Sequence, residues 1–278
     1  MRELLKFNDF QSITFLRMEV PCCGGLEAAA KKALQDSGKS IPLQVFQPGG
    51  KKLDQKVFSL IENYMLSCME DSAHDKEHIY RVLYNALEIA KAEADVDYNV
   101  LICACLLHDI GRKEQFENPS LCHAQIGGEK AYRFLLEHDF EESYAQKVRY
   151  CIQTHRYRKN NSPQSIEAKI LFDADKLDAA GALGIARTLI YKGIVSEPLY
   201  SLLPDGSVSN GEKDTEPSFF QEYKYKLENV YSNFYTKKGA EIAQNRQHTA
   251  ITFYEDLYEE VSQSYKKGKD ELRKIVRK

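Results

Sequence analysis

Imidazole and carboxylate side chains gather in the middle of this chain, inside segments that otherwise read as apolar helix. His108 and Asp109 stand side by side at the end of LICACLLHDIG. A helix apolar on nearly all sides is buried, and an ionised aspartate at its end is costly unless it is paired or bound to a metal. Asp175 poses the same problem within ILFDADKLDAAGALG, and His78 shares a helix face with Arg81, one turn later. Imidazole nitrogen with carboxylate oxygen suits Mn²⁺, Fe, Co, Ni or Zn²⁺, and the lack of a thiolate motif argues against a structural zinc knot. Arg112 follows His108 and Asp109 by one turn, where a guanidinium can hold a phosphate oxygen that also touches the ion. Any one of these histidines alone reads better as a capping or core residue. The set of His78, His108, Asp109 and Asp175 together reads as a divalent-metal site.

The elements that must position them are helices. Apolar residues recur three and four apart over 57–69, 77–94, 98–111, 124–138, 142–155 and 166–191. Two further helices are expected at 219–235 and 238–265, with KKGKDELRKIVRK as a solvated helix end. Between them SLLPDGSVSNGEKDTEPS (201–218) has turn residues and no period, so it reads as a loop, of a length typical of lids and binding loops. The first fifty residues differ. ITFLRMEV (13–20) and IPLQVF (41–46) carry strand signals around the helix former LEAAAKKALQDSG (26–38), a β-α-β unit too small to stand alone. The expected fold is therefore mainly α, a helical domain over 53–278 preceded by a small β-α-β unit over 1–52.

Composition narrows the function classes. With 43% hydrophobic and 28% charged residues and a formal net charge of −3, the 278-residue chain has no basic field to attract nucleic acid, so no stable nucleic-acid binding is expected. The seven cysteines are odd in number and scattered, and Cys103, Cys105 and Cys151 sit among apolar residues, as free thiols do in a reducing compartment. No apolar stretch approaches the roughly 20 residues needed to span a bilayer. The start MRELLKFNDF lacks the apolar core of a signal peptide. These features point to a cytoplasmic protein without a membrane partner, and they leave self-association open.

Three segments in order, HIYRV (78–82), HDIGR (108–112) and DADKLDAAGALGIAR (173–187), resemble the HD-domain metal-dependent phosphohydrolases. The likeness is closest to small bacterial HD proteins, whose later half carries a T-x-x-[GA]-x-x-[IL]-A-x-x-R helix, here TKKGAEIAQNR (236–246). It implies an HD-domain helical bundle over about residues 54–265 and metal ligands His78, His108, Asp109 and Asp175, the last chosen over Asp173 and Asp178 because ADKL matches the family's A-D-x-L. It also implies hydrolysis of a phosphate ester or anhydride of a small molecule, commonly a nucleotide, with Mn²⁺, Mg²⁺, Co²⁺, Ni²⁺ or Fe. In such a reaction the ion activates water and cations steady the phosphoryl oxygens. Asp109, Arg112 and Lys113 are the catalytic candidates. Arg156, Lys176 and Arg187 are candidates for holding substrate, with Arg246 farther out.

A cation after HDIG is shared with HD subgroups that bind two metals through two additional histidines. His123 in CHAQIGG and His155 in CIQTHRYR would fill those places, so a second ion stays open. Their plainer roles are a residue at a helix start and a helix C-terminal cation. His74 is expected to cap its helix, and His138 and His248 to lie at the surface. Tyr223, Tyr225, Tyr231, Phe234 and Tyr235 read as core in preference to a base-stacking platform. The stretch around Cys22 and Cys23 resembles the C-terminal end of ferredoxin-like proteins, without the cysteines an iron–sulfur cluster needs, and reads as a remnant used for packing or partner contact. The expected activity is metal-dependent phosphohydrolysis of a small phosphorylated substrate. A two-metal dinucleoside-polyphosphate hydrolase and a catalytically silent nucleotide-binding module remain alternatives, with an HD oxygenase more remote.

Overall fold

The computed structural model describes residues 13–16, 29, 31–37, 43–46, 53–69, 76–156 and 161–276. Cys22, Cys23 and His74, for which the sequence suggested roles, lie outside them. Near the start, β1 (Ile13–Leu16) pairs in parallel with β2 (Leu43–Phe46), Ile13 opposite Leu43, with residues 31–37 helical between them. Parallel neighbours require a crossover connection, and the expected β-α-β order supplies one.

The rest is helical. Helix α1 (Gln55–Met69) leads to α2 (Lys76–Ala90), α3 (Tyr98–Leu107) and the short α4 (Arg112–Glu117). Then come α5 (His123–Glu137), α6 (Glu142–Thr154) and α7 (Ile166–Leu177). Helix α3 is the axis, for it packs on α1, α2, α5, α6 and α7. It is buried along Val100, Leu101 and Cys103–Leu107, as its unbroken apolar run requires. Its start is fixed by Asp97, whose carboxylate accepts from the amides of Asn99 (3.1 Å) and Val100 (3.3 Å).

Two helices expected to be continuous are broken. The 166–191 segment divides into α7 and α8 (Gly181–Ile194), with Gly181 at φ +70°, where an added Cβ would meet Arg246 Cβ at 2.8 Å. Apolar periodicity persists across the break because both halves bury a face, so the pattern concealed it. The 219–235 segment keeps only α9 (Phe219–Glu222), then opens into a π-helical turn, Tyr223–Leu227, and irregular chain. The wider turn lets Tyr223 stack on Tyr254, ring centroids 4.1 Å apart, in a second apolar cluster with Phe219, Phe220 and Ala250. Tyr223 is thus core, as expected, whereas Tyr225 and Tyr235 are exposed. Helix α10 (Lys237–Val276) runs from the expected 238–265 helix into the basic tail, which is an exposed helix end as expected.

The T-x-x-G-x-x-I-A-x-x-R segment acquires a physical role here: it straps α10 to α7. Asp173 accepts from the amides of Tyr235 (3.0 Å) and Thr236 (2.7 Å) and from the Thr236 hydroxyl (2.6 Å). A Cβ on Gly239 would lie 2.8 Å from the Asp173 carboxylate, so glycine permits the approach. Arg246 Nη1 donates to the carbonyl of Leu177 (2.8 Å), which also accepts from the Ala180 amide (3.1 Å).

Candidate metal centre

Five helix ends converge on one buried point. His78 comes from the first turn of α2, His108 caps the end of α3, His123 opens α5, His155 caps the end of α6, and Asp175 lies in the last turn of α7. All four rings are buried, as is Asp109. The turn carrying His108 and Asp109 is pressed against α5, because a Cβ on Gly111 would collide with the backbone of His123 and Gly127. Lys130 of α5 pins the same turn by donating to the Ile110 carbonyl (2.9 Å) while pairing with Glu114 (2.7 Å).

Each ring has its outward nitrogen on an acceptor. Nδ1 of His108 meets the Cys105 carbonyl at 2.7 Å and that of His155 the Ile152 carbonyl at 2.5 Å, each a carbonyl near a helix end. Nδ1 of His123 meets Gln115 Oε1 at 2.5 Å, and that of His78 meets Asp178 Oδ2 at 2.6 Å. The acceptors place the proton on Nδ1 and turn the Nε2 lone pairs inward. His78 and His108 then face each other Nε2 to Nε2 at 3.2 Å, and His123 and His155 at 3.3 Å. Two lone pairs repel at that distance unless a proton or a metal ion lies between them. Two donors each about 2.1 Å from one ion stand about 3.0–3.4 Å apart at right or tetrahedral angles.

The carboxylates complete two groups. Asp175 Oδ1 lies 3.3 Å from His78 Nε2 and 3.9 Å from His108 Nε2, and Asp109 Oδ2 lies 3.5 and 3.7 Å from the same atoms. Asp109 Oδ1 turns the other way, 3.3 Å from His123 Nε2 and 3.7 Å from His155 Nε2. That oxygen is buried and has no aligned hydrogen-bond donor, although Arg112 Nε is 2.9 Å away. Among the described residues, His78, His108 and Asp175 form one group able to hold an ion, and Asp109, His123 and His155 form another. An orphaned carboxylate oxygen and inward lone pairs fit divalent metal.

Titration follows from the same crowding. Burial alone would lower the His78 pKa, but contacts with Asp109, Asp175 and Asp178 outweigh it and raise it to about 11. In the metal-free molecule a proton on this ring stands where the cation would. Burial drives His123 down to about 2 and His155 to about 4, and it lowers His108 too, so those rings stay neutral. Burial would raise Asp109 and Asp175, yet His108 and Arg112 beside Asp109, and His78 beside Asp175, hold both carboxyls below the usual carboxylate range.

The remaining candidates divide. Arg112 pairs with Asp109, and Arg156 lies at the same end, its Nη1 3.7 Å from Cys122 Sγ next to His123. Lys176 departs from expectation: its ammonium is held by the carbonyls of Ser232 and Asn233 and lies over the Phe234 ring, because it closes the 228–236 segment. Arg187 is bound to Asp178, and Arg246 caps α7. Lys113 lines a cavity with Ser67, Cys68, Glu114, Glu117 and Lys130 that includes none of the four histidines. The sequence reading weighed Asp178 only as a rival ligand and missed Gln115. The signal for Asp178 was its i, i+3 spacing from Asp175, matched by Arg81 three residues after His78.

Residues 76–180, which carry all four histidines of the centre together with Asp109, Asp175 and Asp178, match the family described as HD domain. Residues 1–80 match a Rossmann-like domain, a match that runs through α1, although Val57, Ile61 and Met65 of that helix belong to the bundle's core. The uncharacterized protein YpgQ of Bacillus subtilis (strain 168) is 26% identical over 196 residues, 69% of this chain and 86% of that protein. The crystal structure of YpgQ in complex with ADP is similar at a TM-score of 0.57 and 25% identity, over 73% of this chain and 97% of that one. An HD-superfamily hydrolase of Bacillus thuringiensis gives 0.56 and 28%, over 74% and 97%.

Proposed function

We propose that this chain is a metal-dependent phosphohydrolase that cleaves a phosphate ester or anhydride of a nucleotide and works with two divalent ions. The observation that carries the reading is the pairing of inward Nε2 atoms on both sides of Asp109, each ring locked by an acceptor on its Nδ1. His78, His108 and Asp175 would hold one ion and His123 and His155 the other, with Asp109 turning one oxygen toward each group. Ions in such a pair acidify water and draw charge from phosphoryl oxygens.

The chain's own residues supply the rest. Arg112 keeps Asp109 ionised and offers its remaining guanidinium edge to a phosphate, and Arg156 adds a second cation on the His123 side. Lys176 leaves the role first assigned to it, since Ser232 and Asn233 hold its ammonium; Arg187 stays beside the centre through Asp178, and Lys113 lines a cavity apart from the histidines. The nucleotide is favoured by the ADP complex of YpgQ. Nitrogen and oxygen donors admit Mn²⁺, Mg²⁺, Co²⁺, Ni²⁺, Fe or Zn²⁺. The buried thiols suit a cytoplasmic setting.

A dinucleoside-polyphosphate hydrolase is the second reading, favoured by His123 and His155 joining Asp109. Phosphate and pyrophosphate release from mono-, di- and triphosphates and from symmetric dinucleotides, with Mn²⁺ added, tests both. Turnover of the first group supports the main reading and cleavage of dinucleotides alone supports the second. Tight nucleotide binding without turnover overturns both in favour of a silent module.

A further inference from the structure

Three of the four rings hand their Nδ1 proton to a neutral acceptor: a backbone carbonyl for His108 and His155, an amide for His123. His78 alone hands it to a carboxylate, Asp178 Oδ2 at 2.6 Å. Asp178 is fully buried and caps the end of α7, three residues past Asp175, its amide donating to the Asp175 carbonyl (3.1 Å). One short turn therefore holds the His78 ring from both sides, Asp175 near Nε2 and Asp178 on Nδ1. Asp178 is itself fixed by Arg81, through Nε at 2.8 Å and Nη2 at 3.1 Å, and by Arg187 Nη1. A carboxylate behind an imidazole fixes its orientation and raises its strength as a donor more than a neutral acceptor does.

We infer that Asp178 is a positioning residue that makes the two ion sites unequal. The ion beside His78 is held tightly, and the ion beside His123 and His155 exchanges more readily. This rests on the two-ion reading above and adds to it an order of filling and the residue that sets it. The same carboxylate explains why Arg81 and Arg187 sit here: two guanidiniums keep an otherwise costly buried charge in place.

The test is a titration of the metal-free full chain with Mn²⁺, counting the free ion by electron paramagnetic resonance. The wild type should show a tight and a looser class, and His155→Ala should keep the tight one. Asp178→Asn, which keeps the shape and removes the charge, should weaken the tight class about 10- to 100-fold while leaving the looser one unchanged. Should that variant not fold, Asp178→Glu keeps the charge but displaces the oxygens, and the same selective loss is expected. Equal weakening of both classes, or an unchanged tight class, overturns the inference while the two-ion reading stands. A wild type that takes up no Mn²⁺ overturns both.

Discussion

At the scale of single residues, a buried ring kept charged is informative. His78 is surrounded by Asp109, Asp175 and Asp178, which raise its pKa to about 11, so at pH 8 the metal-free protein carries a proton there. An imidazole must be neutral to bind metal, and binding therefore expels that proton. Mn²⁺ titrated at pH 8 in buffers of different ionisation enthalpy should report about one proton released per ion at this site. Release should fall as the pH is raised through the pKa of His78. His155→Ala should retain that release and lose one ion. Arg156 offers a charge-assisted bond to a phosphate, worth about 1.5–3 kcal/mol, so Arg156→Ala should raise KM roughly 10- to 100-fold with a smaller change in kcat. Steady-state kinetics on the preferred nucleotide check this.

At the scale of elements, the site exists because helices end where they do. Gly111 lets the turn after Asp109 lie on the backbone of α5. Gly111→Ala should cost about 1–3 kcal/mol in chemical denaturation and weaken the ion beside His123, because α5 must retreat. Leu106, fully buried in α3, should cost about 2–5 kcal/mol as Leu106→Ala. Much of this was legible beforehand. The unbroken apolar run of α3 announced a buried axis, and an acid after it announced a candidate ligand. His123 and His155 were legible as types, but their convergence depends on helix crossings that no local pattern encodes. The break at Gly181 and the π-helical turn at Tyr223 were hidden because apolar spacing continues through both. Lys176 misled because a lysine beside a ligand looks like a phosphate contact until Ser232 and Asn233 take it.

At the scale of the whole molecule, α10 acts as a strap, holding α7 through Asp173, Gly239 and Arg246 and burying the second apolar cluster through Ala250 and Tyr254. Among the described residues no helix is long and apolar enough to cross a membrane. Filling the proposed ion sites should add a further tie among helices that already pack around α3. Metal at about 100 times its dissociation constant adds about 2.7 kcal/mol, a rise in melting temperature of roughly 5–10 °C. Differential scanning calorimetry with Mn²⁺, then with excess chelator, should show the rise and its reversal.

The central claim, that the rings on both sides of Asp109 hold divalent ions, is tested most directly by elemental analysis of the Mn²⁺-loaded protein beside His108→Ala and His155→Ala. The wild type should carry about two ions per chain and His155→Ala about one, with His108→Ala losing the tightly held ion. Metal at background in the wild type, or unchanged content in both variants, would contradict the account.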